Sequence, residues 1–386
     1  MPDTPLISVL EPLPALPDLQ RLWERLTKVA STSFFTSWDW IEAWLLELRV
    51  DGEYRLLRVQ RGDSTVAAGI FVFATVHRRF RLPRRVVHLH ATGDPDSDSV
   101  HIEQNDLLIT EVATQQIYDT ALQCLIHCDE PWDELDLQGV ANGHRWVTAA
   151  RRFGLLVDVE RLAAPRVVFT QLSAGQPLWR SVHHKKARYE LRRSLADYAQ
   201  LLGPLTVVEP TTADEALTFL GELARLHDQR WNAQGIRSPF TAPRAMSFHK
   251  RLVKAGFLNR YARVCRVMAG SATVGYLYVL MHDSVANFYQ SGFDYHLLER
   301  HNQPGWLCLQ LVIDMMRDEQ VQLFEFLTGK ETYKHRLSND VAARSWVRLT
   351  RPKVRYRGER LLLWIARSVR RTLRPQITVS AGNLLS

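Results

Sequence analysis

VANFYQSGFDYHLLERHNQPGWLCLQLVIDMMRDEQVQLFEFLTGKETYKHR, residues 285–336, reads as strand, turn, helix, strand and loop. Val285, Ala286, Asn287, Phe288, Tyr289 and Gln290 favour a strand that stops at Ser291-Gly292. Gln303-Pro304-Gly305 opens a segment whose apolar residues (Leu307, Leu309, Leu311, Val312, Met315, Met316) recur close to helical period. Proline suits the first helical turn, and Asn302 or Gln303 suits the cap. Residues 321–327 return as a short apolar strand interrupted by Glu325. Gly329 then releases Lys330, Glu331, Tyr333 and Lys334 into a loop.

A strand that feeds a glycine-containing helix start offers unpaired N–H groups and a positive dipole end to a phosphate. Neither G-x-x-x-x-G-K-[ST] nor G-x-G-x-x-G occurs here, which excludes a Walker loop and a dinucleotide fingerprint. An ordinary turn before a helix stays open on spacing alone.

At these residues the chain resembles the GNAT-fold acyltransferases of the cellulose-biosynthesis-associated, CelD-like branch, relatives of the FemAB aminoacyl transferases. That branch opens its cofactor helix with S-P-G or similar, then carries an f-D-f strand and G-x-E-x-Y-K. The matching residues are Gln303-Pro304-Gly305, Phe324-Glu325-Phe326 and Gly329-Lys330-Glu331-Thr332-Tyr333-Lys334. Upstream, Leu226-His227-Asp228-Gln229-Arg230-Trp231 with Gly235 is similar to the family's helix ending. The resemblance is good over residues 180–340 and looser over the first 175. Two departures are Glu325 where Asp is usual, and Arg300 standing five residues before Gly305 rather than three.

The resemblance implies an α/β fold of two tandem GNAT-like domains, each a mixed twisted sheet flanked by helices. Residues 1–175 form a non-catalytic first domain, 176–204 a basic connecting helix, and 205–350 the acyltransferase domain. Residues 351–386 form a basic amphipathic tail. Acetyl-CoA or another acyl-CoA is the implied co-substrate, with Gln303, Pro304, Gly305, Trp306 and Gly292 as its candidate binding residues. No metal is expected.

The composition fits this size. A chain of 386 residues is long for one domain, and 46% apolar with 23% charged residues describes an ordinary globular protein. Cys124, Cys128, Cys265 and Cys308 form neither a disulfide nor a zinc pattern, so a reducing compartment is expected. No basic region precedes an apolar core at the N-terminus, and no run approaches a membrane span's ~20 residues. A cytoplasmic location is therefore expected. Residues 351–374 hold nine basic residues and one acid, leaving 40 of each elsewhere, so the excess of +8 lies in the tail. A neutral body argues against general nucleic-acid binding. In the tail, Leu362, Ile365, Val369 and Leu373 alternate with arginines at near-helical spacing. Such a helix either lies on an anionic membrane surface or packs its apolar face on the body.

In chain order, helices are expected over residues 13–30, 38–48 and 114–128. A hairpin spans 54–60 and 66–76, and strands cover 86–90 and 134–138. Basic residues 77–85 read as a solvated loop. Residues 93–99 resemble a calcium loop in composition but lack EF-hand spacing. The second half repeats the order with helices at 214–230 and 243–254 and strands at 261–267 and 274–281. Between the halves, residues 181–193 are basic, with Lys185, Arg188 and Arg192 along one side. A phosphate-binding helix and a solvated connector both fit.

Acyl transfer from a thioester needs a base for the acceptor, donors for an oxyanion and an acid for the thiolate. No Ser/Cys-His-Asp signature appears, which favours direct attack over a covalent enzyme intermediate. Backbone N–H groups near residues 289–292 suit the oxyanion. Glu325 in its apolar strand is either a base with a raised pKa or a buried ion-pair partner. Glu331 is the second candidate base, and Tyr289 and Tyr333 are the candidate acids. Lys334 and Arg230 suit an anionic substrate group. Trp231, Asp294, Arg188 and Arg192 complete the substrate-side set. The expectation is an acyl-CoA-dependent acyltransferase acting on an amine or hydroxyl of a sugar, polysaccharide or lipid-linked precursor. A FemAB-like aminoacyl transferase fed by charged tRNA, and a non-catalytic scaffold in exopolysaccharide assembly, are the alternatives.

Overall fold

The structure, a computed structural model, describes residues 4–30, 32–77, 83–112, 114–172, 185–298, 303–329 and 332–353. Glu331 and the tail from residue 354 lie outside the described residues.

The first half runs β1 (Leu6–Pro12), α1 (Leu16–Thr27), α2 (Trp38–Glu47), β2 (Glu53–Arg61), β3 (Ser64–Val76), β4 (Arg84–Leu89), β5 (Leu108–Ile109), α3 (Gln115–His127), β6 (Glu134–Val140), α4 (Gly143–Arg152) and β7 (Leu156–Val168). The second runs α5 (Lys185–Leu202), β8 (Leu205–Val208), α6 (Ala213–Asn232), α7 (Pro243–Asn259), β9 (Ala262–Ala269), β10 (Ala272–His282), β11 (Val285–Phe293), α8 (Pro304–Asp318), β12 (Leu323–Glu325), α9 (Thr332–Leu337) and β13 (Asp340–Thr350). β1, β5, α4, β7, β8 and β13 are additions to the elements expected from sequence. Two local expectations are corrected. Arg84 and Arg85 begin β4 rather than sit in a loop, because Arg84 is buried against Glu134. Tyr333 and Lys334 lie on α9, a short helix, rather than in a loop.

Each half repeats one strand order. β1-β2-β3-β4-β6 and β8-β9-β10-β11-β12 are antiparallel except for the last pair, which is parallel in both. Parallel neighbours need a crossover, which α3 and α8 supply.

The final strands are exchanged. β7 of the first half pairs β12 of the second, and β13 of the second pairs β6 of the first. β7 and β13 also pair each other from Asp340↔Arg166 to Thr350↔Leu156. The result is one sheet, ordered β1-β2-β3-β4-β6-β13-β7-β12-β11-β10-β9-β8, with β5 beside β3.

The exchange is also visible in the packing. Val347 and Leu349 of β13 are buried with Tyr118, Leu122 and Trp146 in the first half's core under α3 and α4. Val167 of β7 is buried with Leu307, Ile313 and Phe324 in the second half's core under α8. Each such side chain contributes about 2 kcal/mol by burial. The other face carries one core shared by both halves, in which Trp40 and Trp44 of α2 join Phe248 and Leu252 of α7.

Both parallel pairs hold for only three residues and then diverge. In the first half the chain fills its own opening. Asn105 bridges in parallel to Val140, and its side-chain amide donates to Leu89 O (3.0 Å) and Gln138 O (3.2 Å) across the gap. His90 Nδ1 meets Asn105 Oδ1 at 2.8 Å. Gly139, at φ +61°, permits the close passage: a Cβ there would stand 2.7 Å from the Ile102 carbonyl oxygen. Nearby, Asp98 accepts from Thr92 N, Thr92 Oγ1 and Gly93 N, so that acidic loop folds around its own backbone.

Because neither half owns its complete sheet, urea unfolding followed by far-ultraviolet circular dichroism and tryptophan fluorescence is expected to show one transition. Two separated transitions would mean that the halves fold independently. Asn105→Ala strands two buried carbonyls and should lower the unfolding free energy by about 2 kcal/mol. An unchanged urea midpoint would contradict the bridging role.

Candidate active site

In the second half the opening persists. β11 pairs β12 only at Val285, Ala286 and Asn287, then runs on to Phe293 with β10 along one edge and, among the described residues, no strand along the other. A β-bulge sits where the two part: Tyr278 pairs Gln290 and Val279 pairs Phe288, leaving Tyr289 as the extra residue. A bulge of this kind sharpens local twist and re-aims the strand. Gly292 lets β11 lie against α6, because a Cβ there would stand 2.3 Å from the Leu223 carbonyl oxygen.

A cleft of about 740 Å³ opens along this edge. Residues 288–293 form one side, and Phe326, Leu327 and Thr328 after β12 form another. Leu327 stands at φ +58°, a conformation that costs a leucine about 1 kcal/mol.

The remaining wall comes from the first half. The segment that fills the first opening carries His101, Ile102 and Glu103 into the cleft of the second. Glu103 is 7% exposed. It accepts from Thr328 N (2.9 Å) and Thr328 Oγ1 (2.7 Å), while Gln104 donates to Asn287 Oδ1 (2.9 Å). Burial raises the pKa of Glu103 above the usual carboxylate range; the Thr328 hydrogen bonds, Lys334 and Arg344 work against that rise. Lys334 Nζ donates to Thr328 O (2.8 Å), tying α9 to the same loop.

The sequence-derived residues distribute as follows. Tyr289, Gly292, Arg230, Trp231, Tyr333 and Lys334 line the cleft. The ring of Tyr289 packs among Phe35, Trp40, Tyr278 and His249, and burial drives its hydroxyl pKa well up. Arg230 lies over the Tyr295 ring at 4.5 Å. Gly305 meets the cleft indirectly, since a Cβ there would stand 3.0 Å from the Phe293 ring. Pro304 and Trp306 are buried in the first turn of α8; Gln303 is exposed and makes no side-chain cap.

Other candidates stand apart from the cleft lining. Arg192 is exposed and Arg188 half-buried on α5. Asp294 accepts from His296 N. Glu325 is 1% exposed, with Arg344 Nη2 at 3.2 Å and Arg166 Nη1 at 3.6 Å. Its pKa is also raised by burial, with both guanidiniums opposing.

Two cleft residues had no assigned role in the sequence reading. Glu103 belongs to a segment 225 residues from Thr328, and no local pattern marks it. His227 was legible only as part of the resemblance at the end of α6. Its Nδ1 meets Ser238 Oγ at 2.9 Å and its ring stacks on Trp231 at 4.8 Å. Burial lowers its pKa to about 4, so it is neutral at pH 7 and holds Trp231 in place.

Residues 185–335 match the family model of the acetyltransferase (GNAT) domain. No curated protein matches the chain in sequence. Among solved structures, FemX is similar over 88% of this chain and 96% of its own at 9% identity, with a TM-score of 0.55. L-PGS from Bacillus licheniformis is similar over 91% of this chain and 96% of its own at 10% identity, with a TM-score of 0.50. At these identities the likeness is one of fold. The match extends to the GNAT domain and not to the narrower CelD-like branch. The stretch from α5 to α9 therefore carries the match to the GNAT acetyltransferase domain, and the first half contributes a wall of its cleft.

Proposed function

We propose that this protein transfers an acyl group from acyl-CoA to an amine or hydroxyl of a sugar, a polysaccharide or a lipid-linked precursor. One observation carries the reading: an unpaired strand edge opens beside a buried carboxylate, in a cleft that reaches the start of α8 through Phe293. Acyl-CoA would supply the activated acyl group, and its phosphates suit the N–H groups at the start of α8.

Glu103 takes the proton from the acceptor N–H or O–H as that atom bonds to the acyl carbon. N–H groups on the free edge of β11 receive the negative charge that develops on the carbonyl oxygen. Tyr333 gives its proton to the departing sulfur as the carbon–sulfur bond breaks. Glu103 then releases its proton to water and Tyr333 regains one, so the enzyme is restored. Lys334 and Thr328 hold Glu103 in place.

Isothermal titration with acetyl-CoA and free CoA tests the donor, and binding of both is expected. Transfer from aminoacyl-tRNA with no CoA binding would replace this donor with an aminoacyl one. Glu103→Gln should lower turnover by roughly 10²–10⁴, the range for a lost acid–base group.

The pH profile follows in sign. Glu103 works as the carboxylate, which is populated above its pKa, and burial has raised that pKa from 4.5. The acidic limb of kcat/KM should therefore lie at higher pH than an ordinary glutamate gives, and Glu103→Gln should abolish it. An unchanged limb in that variant removes Glu103 from the chemistry.

A further inference from the structure

Beside the cleft lies a second chamber of about 640 Å³. His101, Gln138, Trp231 and Trp346 line both spaces, so the two adjoin at these side chains. The strand register explains the floor. Directly paired residues share a face, and His88↔Asp136, Asp136↔Arg348 and Trp346↔Glu160 set these side chains on the face that bears α2 and α7. Asp96, Asp98 and Arg237 come from the flanking segments.

Resting on the acyl-transfer reading, we infer that this chamber is an acceptor subsite for an uncharged or amino-bearing sugar chain. The chain would run from the cleft past Trp231 and Trp346 and span at least two units.

Three features converge on that class. Three carboxylates (Asp96, Asp136, Glu160) face two guanidiniums (Arg237, Arg348), while burial lowers the pKa of His101 and raises that of Asp98. The balance repels a phosphate or a uronate and tolerates an amine. Arg237 Nη1 lies 3.0 Å from Asp96 Oδ1, and Arg348 Nη2 lies 3.7 Å from Asp136 Oδ1. Gln138 Nε2 stands 3.4 Å from Asp136 Oδ2. Planar donors and acceptors thus stand side by side, which suits neighbouring hydroxyls. Two half-buried indoles at the junction offer flat apolar faces to the C–H faces of a sugar ring.

A peptide strand has less to hold. The floor is the face of β6, β13 and β7, whose paired edges leave little backbone for an added strand.

Glucosamine oligomers of one to four units are the probe, titrated calorimetrically, with cello-oligosaccharides as a hydroxyl-only arm. Affinity should rise by about tenfold between one and three units, the scale of one well-packed aromatic contact. Trp346→Ala and Glu160→Lys should each shrink that ratio, with thermal unfolding as the folding control. Glu160 is exposed on β7, so its variant remains informative if Trp346→Ala fails to fold. Equal affinity at every length, a gain intact in the variants, or trilysine outcompeting the sugars would each overturn the assignment. Absent CoA binding would instead overturn the donor reading and leave the length measurement standing.

Discussion

β13 carries Arg344 and Arg348 on one face, and each answers a buried glutamate from a different half. Glu325 belongs to β12, the fifth strand of the second half; Glu134 belongs to β6, the fifth strand of the first. Arg344 bonds Glu325 with Arg166 beside it, while Glu134 is held by Arg84 with Arg348 at 3.8 Å. Removing one partner of such a buried pair leaves an uncompensated charge, far costlier than the pair is favourable. A slip of one residue would turn these groups to the opposite, apolar face. Charge therefore fixes the register at the centre of the sheet, where β12 offers only three residues for pairing.

From that register follows the division of labour between the halves. Two five-strand units with the same order each possess a parallel pair that diverges. The first unit closes its opening with Asn105, whose amide reaches carbonyls on both sides. The second keeps its opening, and the same segment supplies Glu103 to it. Closing one site is how the other gains its carboxylate. A polar strip across β6, β13 and β7 joins the two halves on one face.

Much of this was legible in residues 285–336. A strand, a proline-started helix and a short strand there, and an order of elements repeated in the two halves, came directly from periodicity and turn chemistry. β7 was not legible, and the reason is physical. Asp158, Glu160 and Arg166 on one face and Arg161 on the other give it the polarity of a surface loop, and Glu160 borders an open groove. β1 was missed because Glu11 and Pro12 dilute a short edge strand. Lys334 was placed in a loop because the helix that holds it spans only Thr332–Leu337.

The choice between Glu325 and Glu103 lay beyond any local pattern. Both are buried carboxylates, and burial raises both pKa values against opposing cations. Perturbation alone therefore does not separate a catalytic group from a structural one. Access does. Glu325 has Arg166 and Arg344 against its carboxylate and takes no part in the cleft lining, whereas Glu103 takes its hydrogen bonds from Thr328 and still borders the open space. A base must lie within reach of the proton that it removes. By that criterion the carboxylate suited to the work comes from the half of the chain whose own opening is closed.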